Sequence, residues 1–156
     1  MSRTFTVQMT SALMADRRTL LDHIGTLEGV NLELRPLLRM TLPRRFRGTT
    51  LYEVPTGEWL FRSWLLLGGV LPIDYDHLRL ESVDPESGFI ESSSMLSMRV
   101  WRHERRIQGL ADGGCEVQDT LTFQPRIWAS GPLLTAFVTT LFRHRHRKLQ
   151  AMFGAR

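Results

Sequence analysis

Between residues 3 and 10, Phe5, Val7 and Met9 alternate with Thr4, Thr6 and Gln8, the period of two expected of a strand with one buried face. From Asp16 the spacing becomes helical. Leu20, Leu21 and Ile24 share one side, and Gly25 and Gly29 interrupt the pattern before a second short helix near 30–40, with Pro36 in its first turn or kinking it. Residues 43–58 are rich in Pro, Arg, Gly and Thr and read as a surface connection. Five strands then follow in succession, at 58–68, 73–84, 87–96, 97–109 and 114–124. They are separated by turn signals such as Asp84-Pro-Glu-Ser-Gly88 and Asp112-Gly-Gly114, so they predict an antiparallel meander. After Gly131-Pro132 the period is helical again. Leu134, Phe137, Val138, Leu141, Leu149 and Met152 form one stripe along a long terminal helix over 131–153.

These elements predict an α+β architecture in which the last helix covers one face of a curved antiparallel sheet. Such a strongly twisted sheet is hard to fill with side chains along its whole length, so a cavity between the layers is expected. Alternation also assigns faces. In 114–124, Val117, Asp119, Leu121 and Phe123 share the inner face, and in 97–109 the solvent-type residues Arg102, Glu104, Arg106 and Gln108 leave Trp101, His103, Arg105 and Ile107 facing in. Matching the two inner faces requires a turn with an odd number of residues, which sets Asp119 opposite Arg105 or one diagonal step away. The same parity turns Glu91 inward, opposite Trp101 or His103. Glu91, His103, Arg105 and Asp119 are therefore expected to meet as one buried polar cluster. It serves either as structural pairing of Arg105 with Asp119 or Glu91, or as a group that orients a ligand or moves protons.

Composition narrows the reading. At 156 residues and 42% hydrophobic, the chain fits one domain over 1–156. Its most apolar window, Trp59 to Ile73, is broken by Arg62 and Gly68-Gly69 and is too short to span a bilayer. No export signal is legible, and the single Cys115 fits a reducing, cytoplasmic setting. The net charge of +4 is local. Arg143, Arg145, Arg147 and Lys148 carry it, while the rest of the chain balances at 16 cationic against 16 anionic side chains. Without interleaved aromatics this run reads as a solvated helix end rather than a nucleic-acid surface. Arg145, and with it His144, lies close enough to the apolar stripe to reach the cavity mouth. Metal binding is not expected. Asp74, Asp76 and His77 are the only mixed cluster, and His77 has the wrong parity to join both aspartates. Neither Ser92-Ser93-Ser94 nor Cys115 sits in a nucleophile motif.

The order of elements, the Trp101-x-His103 strand followed by Asp119-x-Leu121-x-Phe123, and Pro125 ahead of a long apolar-striped helix resemble the START-like (SRPBCC) superfamily of polyketide cyclases and lipid-transfer domains. The resemblance implies a helix-grip fold: a curved antiparallel sheet of six to seven strands wrapped around the C-terminal helix, with two short helices after the first strand. Six strands are legible, and residues 46–55 are the place left for a seventh. The resemblance further implies a cofactor-free protein that binds a hydrophobic, lipid- or polyketide-like molecule. Trp59, Phe61, Trp101, Leu121, Phe123, Phe137 and Leu141 are the expected apolar lining, and Glu91, His103, Arg105 and Asp119 the polar ligand contacts. The alternative is a cyclase-, dehydratase- or hydrolase-like enzyme with Glu91, His103, Arg105 and Asp119 as its acid-base candidates. A third possibility, from a different class, is a nucleic-acid or protein-interaction module using the arginine clusters.

Overall fold

The computed structural model describes residues 2–156. Seven strands form one antiparallel sheet in the order β1-β7-β6-β5-β4-β3-β2. They are β1 (Phe5–Leu13), β2 (Leu38–Met40), β3 (Trp59–Leu67), β4 (Leu71–Asp84), β5 (Gly88–Met95), β6 (Met98–Gly109) and β7 (Cys115–Pro125). Helices α1 (Arg17–Ile24) and α2 (Leu27–Leu34) follow β1, and α3 (Gly131–Phe153) closes the chain. Register shifts within β3/β4, β4/β5 and β6/β7 are bulges that add twist and curl the sheet toward α3. The result is the helix-grip fold.

The two short helices have defined starts. Asp16 accepts from the Thr19 amide at 2.8 Å, and the Thr26 hydroxyl accepts from the Gly29 amide at 3.1 Å, each capping an otherwise unpaired N–H. The second helix therefore begins and ends earlier than its expected place near 30–40, and Pro36 lies beyond it. Arg35 is already extended, as the residue before a proline tends to be. The Asn31 side chain then holds both backbone groups of Met40, at 2.8 and 3.0 Å, and draws residues 38–40 in beside β3. This three-residue strand is the seventh. Residues 46–55 hold none; they form turns, with the preceding Arg44–Phe46 as a 3-10 turn. Leu51 N–H donates to Gly25 O at 2.9 Å and the Tyr52 hydroxyl donates to Leu21 O at 2.6 Å, fastening this segment over the α1–α2 junction.

Two apolar clusters fill the space between sheet and helices. One gathers Trp101, Leu121, Phe123, Val138 and Phe142; the other gathers Leu13, Leu20, Leu21, Ile107, Val117 and Leu149. Leu149 is fully buried where α3, α1 and the sheet meet. Leu149→Ala is expected to cost about 2–5 kcal/mol of unfolding free energy, as for other buried leucines. Urea titration of the two proteins measures it.

Candidate functional site

The two apolar clusters are separated by charge. Register pairs Arg105 with Asp119 and His103 with Leu121 across β6 and β7, and Glu91 with His103 across β5 and β6. The loop joining β6 to β7 has an odd number of residues, as matched inner faces demand. Arg105 is buried and grips two carboxylates at once. Its Nε and Nη2 donate to Asp119 at 2.8 and 2.7 Å, and its Nη1 donates to both oxygens of Glu33 at 2.8 and 3.0 Å.

Three further elements join this clasp. Arg145 on α3 donates to Glu33 at 2.9 Å, and His23 on α1 lies 3.1 Å from its other oxygen. His103 Nε2 and His146 Nε2 donate to the two oxygens of Asp119 at 2.7 and 2.8 Å, because an ionised carboxylate only accepts. Burial alone would push both carboxyls up. Arg105 and then Arg145 hold Glu33 below the usual carboxylate range, and Arg105 and then His103 hold Asp119 well below it. Arg105 itself is raised, since Asp119 and Glu33 outweigh its loss of hydration. Two carboxylates face two guanidiniums, so the clasp is balanced.

Beside the clasp lies a cavity of about 470 Å³. Its wall is mostly hydrocarbon: Val30 of α2, Leu51 and Val54 of the overlying segment, Phe61 and Leu65 of β3, Met95 and Trp101 of β5 and β6, and Leu134, Phe137 and Leu141 of α3. Leu133 and Phe137, 73% and 40% exposed, are the wall residues most open to solvent on α3 and mark the mouth there.

The structure sorts the expected site residues into four groups. Phe61, Glu91, Trp101, His103, Phe137 and Leu141 line the cavity. Arg105 and Asp119 do not; their polar atoms are committed to the clasp. Leu121 and Phe123 are fully buried within the core cluster, away from the cavity surface. Trp59 lies outside the cavity wall. Its ring stacks on His77 at 4.5 Å with the Arg79 guanidinium 4.5 Å from it, and the residue is 49% exposed. Glu91 does not pair with Arg105. His103 Nδ1 is 3.8 Å from Glu91, too far for a hydrogen bond.

Residues outside the expected set complete the site. Glu33 and His146 belong to the clasp, and Asp76 on β4 lines the cavity. His146 was legible from spacing alone, since it stands one turn from both Phe142 and Leu149. Of the two stripe neighbours expected at the mouth, Arg145 is buried against Glu33, whereas His144 bonds the Arg35 carbonyl at 2.8 Å. Among the described residues no group of three or more His, Cys, Asp or Glu side chains is arranged so that it could hold a metal ion, and no helix is long and apolar enough to cross a membrane.

Arg105→Met takes the shared guanidinium from two buried carboxylates, leaving Glu33 to Arg145 and Asp119 to its two histidines, and is expected to cost about 3–5 kcal/mol in urea titrations. Because Glu33 and Asp119 lie below their ordinary values of 4.5 and 3.8, the stability they confer is complete above that range and is lost as the pH falls below it. Asp76 has the opposite sign. Burial first, and Glu91 second, raise its carboxyl well above 3.8, so the folded state keeps a proton that the unfolded chain releases. Asp76→Asn is therefore expected to raise the melting temperature at neutral pH. The gain should shrink as the pH is lowered toward 3.8.

Solved structures share this architecture over nearly the whole chain. A START superfamily protein from Mycobacterium smegmatis superposes with a TM-score of 0.67 at 12% identity, covering 95% of this chain and 96% of its own. The Zhui aromatase/cyclase from Streptomyces sp. R1128 gives 0.65 at 12% identity, covering 96% of each chain. Ginseng major latex-like protein 151 from Panax ginseng gives 0.65 at 9% identity, covering 96% and 97%. At these identities the likeness is one of fold, and the fold is START-like. No curated protein matches by sequence. A sequence family does match, over residues 11–153, a span that takes in both carboxylates of the clasp and every cavity-lining element; the chain belongs to the family described as "Domain of unknown function (DUF8410)".

Proposed function

We propose that the protein binds a hydrophobic small molecule, lipid- or polyketide-like, in the cavity between the sheet and α3. The observation that carries this reading is the cavity itself. Its volume of about 470 Å³ lies within the ~300–1,000 Å³ usual for small-molecule sites, and its wall is hydrocarbon with a few grouped polar side chains. Apolar wall in contact with water costs about 25 cal/mol per Å², so an apolar guest that covers it stabilises the folded state. The aromatase/cyclase and the START superfamily protein share the fold, which supports the reading by analogy alone.

A second reading, an acid-base enzyme of the cyclase, dehydratase or hydrolase kind, draws on His103. Its ring is oriented by Asp119 from behind and lines the cavity in front, the arrangement a general base requires. Of the four acid-base candidates, only His103 and Glu91 line the cavity. The interaction-module reading loses support, since Arg145 and His146 are buried and the basic run is not one continuous surface.

Nile red, a neutral apolar dye, tests the binding reading. It is expected to bind with one-to-one stoichiometry and enhanced fluorescence. Val30→Trp and Leu141→Trp, which fill the cavity from α2 and from α3, should each weaken it about tenfold or more, or ~1.4 kcal/mol. Trp59→Ala, outside the cavity, should not change it. Equal dye affinity in all four proteins would place the dye elsewhere and count against the reading.

A further inference from the structure

Among the described residues, Asp76 Oδ1 is the only buried side-chain polar atom without a hydrogen-bond partner. Asp76 is 4% exposed, and it forms part of the cavity wall. Such an orphan is costly unless something comes to meet it. Its neighbours cannot do so. The single proton of the Ser93 hydroxyl goes to Glu91 Oε1 at 2.8 Å. Asp74, on the same strand, accepts from the Tyr75 amide at 2.8 Å and from the Ser97 amide and hydroxyl. His103 on β6 gives its Nε2 proton to Asp119. Arg145 on α3 reaches the wall, but its charge is neutralised by Glu33.

The wall around Asp76 and Glu91 therefore offers carboxyl oxygens in excess of protons, and no cation free to balance them. We propose that this carboxyl pair is the headgroup site of the cavity, taking an apolar molecule that ends in a hydrogen-bond donor, a hydroxyl or an ammonium, and rejecting a carboxylate. This rests on the reading of the cavity as a ligand site. A hydroxyl donates to Glu91 and accepts the proton that burial and Glu91 keep on Asp76. An ammonium sends that proton to solvent and leaves two carboxylates around one cation. A carboxylate brings a second negative charge beside a pair that already carries one, in a low-dielectric space where like charges resist ionising together.

The test is displacement of Nile red by matched alkyl probes: 1-decanol, decylamine, decanoate and methyl nonyl ether. The alcohol or the amine should compete at concentrations at least about tenfold lower than both the carboxylate and the ether. Calorimetry in two buffers of different ionisation enthalpy separates the donors, since only the amine should release a proton. Asp76→Leu removes the orphan without creating a new one. It should bring all four probes within about threefold of one another, each measured against that variant's own Nile red affinity. Decanoate competing as well as the donors would seat the headgroup on Arg145 and overturn the inference. So would an ether equal to the alcohol, or a preference that survives Asp76→Leu. Failure of Nile red to bind at all would instead remove the cavity reading beneath it.

Discussion

The rest of the structure depends on one buried guanidinium. Arg105 holds Glu33 from the helical layer and Asp119 from the neighbouring strand at once, and Arg145, His23, His103 and His146 saturate the two carboxylates. Taking these charges out of water is expensive, and their mutual attraction offsets that cost only because every partner is in place. Sheet and helices are thereby fixed in register. A hydrophobic seam alone would let α3 slide along the sheet with little change in energy, whereas a bidentate clasp does not tolerate a shift of one turn.

The clasp also divides the interior. Along β6 it lies between Ile107 and Trp101, along β7 between Val117 and Leu121, and along α3 between Leu149 and Phe142. On one side Leu13, Leu20, Val117 and Leu149 close into solid core. On the other, Trp101, Val138 and Phe142 form one wall of an open space. Rigidity is thus supplied beside the cavity rather than by filling it, and the hollow half does not have to hold the layers together. This division explains why a cluster of charges can sit so close to a hydrocarbon pocket with only its His103 and Arg145 edges reaching the lining.

What the sequence made legible follows from the reach of a strand's period. Alternation assigned Trp101, His103, Arg105 and Asp119 to one face, and parity across the turns left Asp119 opposite Arg105 or one diagonal step away and Glu91 opposite Trp101 or His103; the registers pair Arg105 with Asp119 and Glu91 with His103. Parity is silent about what docks from another layer. Glu33 is 72 residues from Arg105 along the chain and sits on a short helix whose spacing gave no reason to single it out. The basic run concealed His146, whereas Arg145 stood out beside the apolar stripe; the helical period turns both inward, Arg145 to Glu33 and His146 to Asp119. The seventh strand, only three residues long, owes its place to one Asn31 side chain rather than to any periodic pattern. Asp76 stood in the sequence as a weak metal ligand; its isolation in the wall exists only once β4 and β5 curl around the cavity.

The central claim is that the clasp separates a hollow, ligand-accepting half from a solid one, and methyl NMR tests it most directly. With isotope-labelled Leu and Val methyl groups and saturating Nile red, the account predicts large shifts at Val30, Leu65 and Leu141 and none at Leu13, Val117 and Leu149. Shifts spread evenly over both sets, or confined to the second, would contradict it.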